Sequence, residues 1–168
     1  QMAVQASLTG HLVLSTLHTN DSPSAVTRML DLGVPHYLIQ STLSGVVAQR
    51  LVRTLCPHCK TVATQNPDEW RVLTHGWNIS LPDQVYKPVG CLECRKTGFL
   101  GRTGVYEMMP MSSRLRSLIS AELDLGRFGG EALREGMKPL RISAAMQVAA
   151  GLTTVGEVLN VLPPTDID

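Results

Sequence analysis

The chain has 168 residues, 43% of them apolar and 4% aromatic, with 15 Lys and Arg against 14 Asp and Glu. That is enough for one ordinary domain or two small ones sharing a core, built mainly from Leu, Val, Ile, Met and Ala. A formal charge of +1 without runs of one sign argues against nucleic-acid binding, which calls for a strongly basic face. No apolar stretch reaches the roughly 18 to 20 residues that cross a bilayer. The longest, Leu38 to Ala48, is broken by Gln40, Ser41, Thr42, Ser44 and Gly45. No basic segment followed by an apolar one marks a secretory leader.

In chain order, Gln1 to Ala6 reads as the middle of a helix without a capping sequence. Leu12 to Leu17 is a short apolar run of the kind that forms a buried strand in a parallel sheet. Asn20-Asp21-Ser22-Pro23 then supplies caps and a first-turn proline. The helix that follows carries Val26, Met29 and Leu30 on one face and closes at Gly33. A second helix is expected from His36 to Ala48, and an extended segment from Gln49 to Leu55. Cys56 to Cys94 changes character, holding all four cysteines and both tryptophans with little periodicity. It reads as a separate metal-organised insert, with Trp70, Leu73, Trp77, Ile79, Leu81, Val85 and Tyr86 available for a small core. Beyond it, a strand is expected over Arg102 to Met108, a helix capped by Ser112, and another over Ile142 to Ala150. A capping box at Thr154 and Glu157 opens the last helix, which Pro163-Pro164 ends.

Cys56-Pro57-His58-Cys59 and Cys91-Leu92-Glu93-Cys94 are two Cys-x-x-Cys turns. Each lets two thiolates face one point, and together they make the closed four-sulfur cage of a structural zinc site. The 31 residues between them, 60 to 90, exceed the usual spacing of about 15 to 20 in compact zinc ribbons. A pair of disulfides or a redox dithiol are the other readings; neither pair opens a helix after a strand, as a redox dithiol would. His58 and His75 also lie in the insert, but four cysteines already complete a shell. His11 and His18 bracket the expected first strand. Carboxyl ends of strands form the ligand crevice of open α/β sheets, which places His18 where an imidazole could bond a phosphate oxygen or a water. A merely structural histidine is the other reading.

Read together, these segments resemble the secretion ATPase superfamily, which includes the type II secretion ATPases and the type IV pilus assembly ATPases. Thr9-Gly10-His11-Leu12-Val13-Leu14-Ser15-Thr16-Leu17-His18-Thr19-Asn20 resembles the superfamily's histidine box. Ala48-Gln49-Arg50-Leu51, the two cysteine pairs, Gly101-Arg102-Thr103-Gly104-Val105-Tyr106-Glu107, and Gly151 to Leu159 match further segments in the same order. The resemblance implies an α/β fold, the C-terminal part of a RecA-like P-loop ATPase core. Residues 1–55 would be late core with the histidine box, 56–97 the inserted zinc subdomain, 98–111 a returning core strand and 112–168 a helical subdomain. It implies His18 and His11 as catalytic, with His18 nearer the γ-phosphate, and Cys56, Cys59, Cys91 and Cys94 as zinc ligands. Gln49, Arg50 and Arg28 match recurring positions near the nucleotide; a salt bridge is the plainer reading for either arginine, above all for Arg28.

The resemblance further implies a cytoplasmic homo-hexamer on the inner membrane, using ATP and Mg²⁺ to drive pseudopilin or pilin assembly with an inner-membrane platform protein. The tetracysteine argues against the retraction type of motor, which generally lacks it. The chain contains no Gly-x-x-x-x-Gly-Lys-Ser/Thr loop to cradle a triphosphate. It is therefore expected to be part of a longer ATPase and inactive alone, the alternative being a freestanding zinc-stabilised interaction module.

Overall fold

The computed structural model describes residues 2–162; the closing Pro163-Pro164 lies outside them. The elements, in order, are α1 (Met2–Leu8), α2 (Ser22–Asp31), α3 (His36–Thr42), β1 (Gly45–Leu55), β2 (Thr61–Ala63), α4 (Pro67–Leu73), β3 (Val85–Lys87), β4 (Phe99–Pro110), α5 (Ser113–Leu118), α6 (Leu125–Arg134), α7 (Leu140–Ala149) and α8 (Val155–Val161). β1 pairs with β4, and β2 with β3. Met111 N–H bonds Ser44 O at one end of the first pair, and Cys56 N–H bonds Gly98 O at the other. Those two bonds make β1 and β4 antiparallel. β2 and β3 are antiparallel too, with Val62 opposite Tyr86.

The residues fall into two compact units. The first runs up to Ala48 and resumes over Glu107–Lys138. Its core gathers Val26 of α2, Ile39 of α3, Met109 of β4, Met111, Leu115 of α5, Ile119, Phe128 and Ala132 of α6, and Met137. The Asp21 carboxylate caps α2 by accepting Ser24 N–H, and Ser112 caps α5 by accepting Leu115 N–H. Ser22 is a buried polar node. Its N–H donates to Glu107 Oε1 at 2.6 Å, its hydroxyl donates to Glu107 O at 3.0 Å, and the same hydroxyl accepts Ala48 N–H at 3.2 Å. These bonds satisfy polar groups that would be costly to bury alone.

The second unit comprises Gln49–Tyr106 and the residues from Pro139 onward. It buries Val52, Leu55, Trp70, Leu73, Val105, Ile142, Val148 and Val158, among others. The Trp70 indole N–H is satisfied by Ile79 O at 3.2 Å. Of the expected insert core, Trp70, Leu73 and Val85 are buried, whereas Leu81 is 41% exposed.

Several expectations are corrected. Leu12 to Leu17 is no strand: residues 11–19 carry no regular structure, and Leu12 and Leu14 are 83% and 88% exposed. A strand persists only when its N–H and C=O groups find a paired neighbour, and among the described residues no strand pairs with this run. The second helix stops at Thr42 rather than Ala48. Ser41 and Thr42 hydroxyls turn back onto the Leu38 carbonyl, and β-branched Val46 and Val47 favour the strand that begins at Gly45. The Thr154–Glu157 box is half made. Thr154 Oγ1 accepts Glu157 N–H at 3.2 Å, but the Glu157 carboxylate is held by Arg53 instead. Helix α4 was not anticipated, and α6 falls in the expected helical stretch 112–168 without having been singled out. Gly126, Gly129 and Gly130 dilute the helical signal in α6, and α4 has barely two turns.

Candidate functional site

The four cysteines, 31 residues apart in sequence between the pairs, converge in the second unit. Their four Sγ atoms all lie within 4.8 Å of one another, and among the described residues no other His, Cys, Asp or Glu joins them. Cys56 Sγ stands 3.8 Å from Cys91 Sγ, Cys59 Sγ 3.8 Å from Cys94 Sγ, and Cys91 Sγ 3.7 Å from Cys94 Sγ. A tetrahedron with metal–sulfur bonds of about 2.3 Å has edges of about 3.8 Å. All four are free thiols, with sulfurs spaced for a shared ion and not bonded to one another. The group fits a metal ion by both donor type and spacing.

The turns that carry them follow from the sequence. Cys59 N–H and Lys60 N–H both bond Cys56 O, folding the first pair into one tight turn. In the second, Lys96 N–H bonds Cys91 O at 2.7 Å, and Arg95 and Lys96 both take left-handed backbone angles, φ 53° and 60°. Such angles are uncommon outside glycine and here wrap the chain around sulfur. Gly98 is also left-handed, and a Cβ there would meet Pro88 Cβ at 2.3 Å, so no larger residue fits. Backbone amides face the sulfurs: Gly90 N–H donates to Cys59 at 3.3 Å, while Cys91 N–H and Gly98 N–H donate to Cys94, each at 3.2 Å. The Cys91 amide, with that of Gly98, pulls the Cys94 thiol down to about 6. Burial pushes the Cys56 thiol up to about 11. A cation among the sulfurs favours the thiolate at each position.

Comparison with known proteins shows the family. The pattern of the type II/IV secretion system protein family matches residues 1–160. The chain belongs to that family. Among relatives of this secretion family, the type IV pilus assembly ATPase TfpB of Acinetobacter baylyi is 52% identical over 164 residues, 98% of this chain and 28% of TfpB. The type II secretion system protein E of Aeromonas hydrophila is 44% identical over 164 residues, 96% of this chain and 32% of its own length. The type IV pilus assembly ATPase PilB of Myxococcus xanthus is 40% identical over 169 residues, 98% of this chain and 29% of PilB. The chain thus spans less than a third of each. The solved structure of the pilus retraction motor PilT with bound ADP has a similar mixed α/β fold, with a TM-score of 0.59 at 19% identity. That match covers 96% of this chain and 35% of PilT.

The remaining residues singled out in this family member are placed as follows. His11 follows α1 on the irregular segment, its Nδ1 3.1 Å from Thr9 Oγ1 and 3.3 Å from Ala6 O. It lines a half-open cavity of about 420 Å³ with Leu12, Val13, Leu14, Val46 and Met109. His18 lies further along the same segment, exposed and outside that cavity. Arg28 is exposed on α2 and forms no ion pair among the described residues. Gln49 and Arg50 are neighbours on β1 and so point to opposite faces. The Arg50 guanidinium donates to the Gln49 carbonyl at 3.2 Å. No helix among the described residues is long and apolar enough to cross a membrane.

Sequence reasoning missed the pair that anchors α8. Glu157 Oε1 accepts Arg53 N–H at 3.0 Å, and Oε2 accepts the Arg53 guanidinium at 2.9 and 2.6 Å. The Arg53 guanidinium stacks 4.3 Å over the Phe99 ring. Hydrogen bonds from Arg53 hold the Glu157 carboxyl below its usual range. An arginine inside a strand and a glutamate at the third position of a helix were the available signals.

Proposed function

We propose that this chain is the C-terminal part of a cytoplasmic traffic ATPase that couples ATP hydrolysis to assembly of a type II secretion pseudopilus or a type IV pilus. The observation that carries the proposal is the family match over residues 1–160, with relatives of that name at 40–52% identity. In this reading Cys56, Cys59, Cys91 and Cys94 hold a structural Zn²⁺. Bound there, the ion supplies folding energy and no reaction chemistry, because four thiolates leave it no open position. His18 and His11 are the catalytic candidates of the parent enzyme, with Gln49, Arg50 and Arg28 as weaker nucleotide-proximal candidates.

This chain has no phosphate-cradling loop, so no step of ATP or Mg²⁺ chemistry is assigned to it, and alone it is inactive. The parent works as a homo-hexamer on the cytoplasmic face of the inner membrane. The cysteine segment forms its contact with an inner-membrane platform protein, a role supported by the exposed Val62, Val89 and Leu92. The deciding test joins the chain to its upstream coding sequence and measures ATP turnover. Turnover that falls at least tenfold in His18→Ala, with the chain alone inactive, is expected. An upstream sequence without a phosphate loop overturns the proposal and leaves a zinc-stabilised binding module. Deleting residues 60–90 from the full protein should abolish assembly; unchanged assembly would sink the platform contact.

A further inference from the structure

The four cysteines hold their turns in place, but the side chain next to them reaches elsewhere. We propose that Lys60 is a positioning residue that couples metal occupancy of the cysteine site to the turn between α7 and α8. The inference rests on the zinc reading above and goes beyond it.

Lys60 follows Cys59 directly, and its own N–H closes the first cysteine turn onto Cys56 O at 3.0 Å. Its position is therefore set by the same atoms that set the first ligand pair. Its ammonium donates to Gly151 O at 2.8 Å and lies 4.5 Å over the Tyr86 ring. Gly151 lies just beyond α7, after the C-cap Ala150, and its carbonyl is an acceptor of the turn itself, which the ammonium satisfies. Gly151 is left-handed, at φ 71°, and a Cβ on it would sit 2.8 Å from the Tyr86 ring. Ammonium, ring and turn thus pack without spare room.

The second partner also leads back to the sulfurs. Tyr86 lies on β3, opposite Val62 of β2, and β2 starts at the residue after Lys60. Four residues beyond Tyr86, Gly90 N–H donates to Cys59 Sγ at 3.3 Å. Both chain segments that grip Gly151 therefore emerge from the ligand cluster at Cys59. Without an ion, the turns at 56–60 and 90–96 lose their common tie. Lys60 and Tyr86 then lose their fixed origin, and the α7–α8 turn is left with the Leu55 N–H bond to Leu152 O and the Thr153 hydroxyl bond to Arg53 O. Coupling of this kind is reciprocal: an ordered turn must in return tighten metal binding.

The test is a two-by-two comparison of wild type and Lys60→Met, each with zinc and after chelation. Zinc per chain is measured first, followed by hydrogen exchange of amides 151–162. In wild type, chelation should speed exchange of these amides about tenfold, within the 5- to 150-fold typical of coupled sites. In Lys60→Met they should already exchange fast, changing less than about twofold on chelation. The variant should also lose zinc to a competing chelator about tenfold more readily, with all four cysteines intact. Lys60→Arg, which keeps the cation, should restore both readouts. The proposal is overturned if wild-type exchange at 151–162 ignores chelation, or if Lys60→Met retains the wild-type response. An equal rise at Phe128–Ala132 would mean global unfolding and overturn it too. A wild-type chain that binds no zinc removes the zinc reading along with this one; one zinc per chain without coupling removes this one alone.

Discussion

Removing the carboxylate of Glu157 should loosen α8 in a way that acid can reproduce. The group accepts three bonds from Arg53, one from the main chain and two from the guanidinium. Its side chain is 6% exposed, while that of Arg53 is 52% exposed. Breaking a fully buried pair costs about 3–5 kcal/mol because a charge is stranded. Here the stranded guanidinium can rehydrate, so the two side-chain bonds count at the low end of about 1.5 kcal/mol together. The main-chain N–H of Arg53 cannot move away, which adds about 1–1.5 kcal/mol when it loses its acceptor. Glu157→Ala should therefore cost about 3 kcal/mol, and Glu157→Gln, which keeps an acceptor for the main chain, about 1.5 kcal/mol. Arg53 holds the Glu157 carboxyl below its ordinary value of 4.5. A lowered folded-state pKa gives stability that is complete above pH 4.5 and is lost as pH falls through the folded value. Urea unfolding of the zinc-loaded chain, followed at pH 7 and at successively lower pH below 4.5, measures both. A wild-type advantage over Glu157→Gln that stays constant across that range refutes the reasoning.

Cys56→Ser or Cys91→Ser should abolish one-to-one zinc binding measured by metal analysis, and chelation of wild type should lower its melting temperature. Ser22→Ala leaves the buried Ala48 N–H without its acceptor and removes the hydroxyl that donates to Glu107 O. It should cost about 2 kcal/mol in urea unfolding, against less than half that for Ser22→Thr if the methyl is accommodated. Gly98→Ala combines left-handed backbone with a 2.3 Å clash on Pro88; it should weaken zinc retention at least tenfold in a chelator competition, whereas Gly130→Ala, with open space around it, should stabilise α6 slightly.

The legible parts were those whose signal is local. Asp21, Ser112 and Thr154 each cap the helix their spacing announced, because a cap needs only an oxygen and an amide two or three residues on. The doubled Cys-x-x-Cys was legible for the same reason, since each half is a turn and only the meeting of halves is long-range. What failed depends on distant partners. Leu12–Leu17 has strand composition, but composition cannot supply the neighbour that makes a strand. The Arg53–Glu157 pair joins residues 104 positions apart, beyond any periodicity. Glu131 is buried in α6 between Arg114 at 2.7 Å and Arg134 at 3.0 Å, and its contact with Arg114 likewise crosses between elements.

β1 ends at Leu55 and β4 begins at Phe99, so 43 residues, 56–98, intervene where an ordinary hairpin has two to five. So long a connection leaves the alignment of the two strands undetermined, and a one-residue slip would turn each strand inside out. The cysteines abut this gap: Cys56 directly follows one strand, Cys94 precedes the other by a few residues, and Cys56 N–H bonds Gly98 O across the opening. Ribosomes add about 5–20 residues per second, so the first two thiols wait a few seconds for the second two. Until they arrive, β1 has nothing to tell it where β4 should start. When the four sulfurs gather, the strand ends are brought level, and the cysteine cluster serves as the turn of a hairpin whose loop is too long to have one.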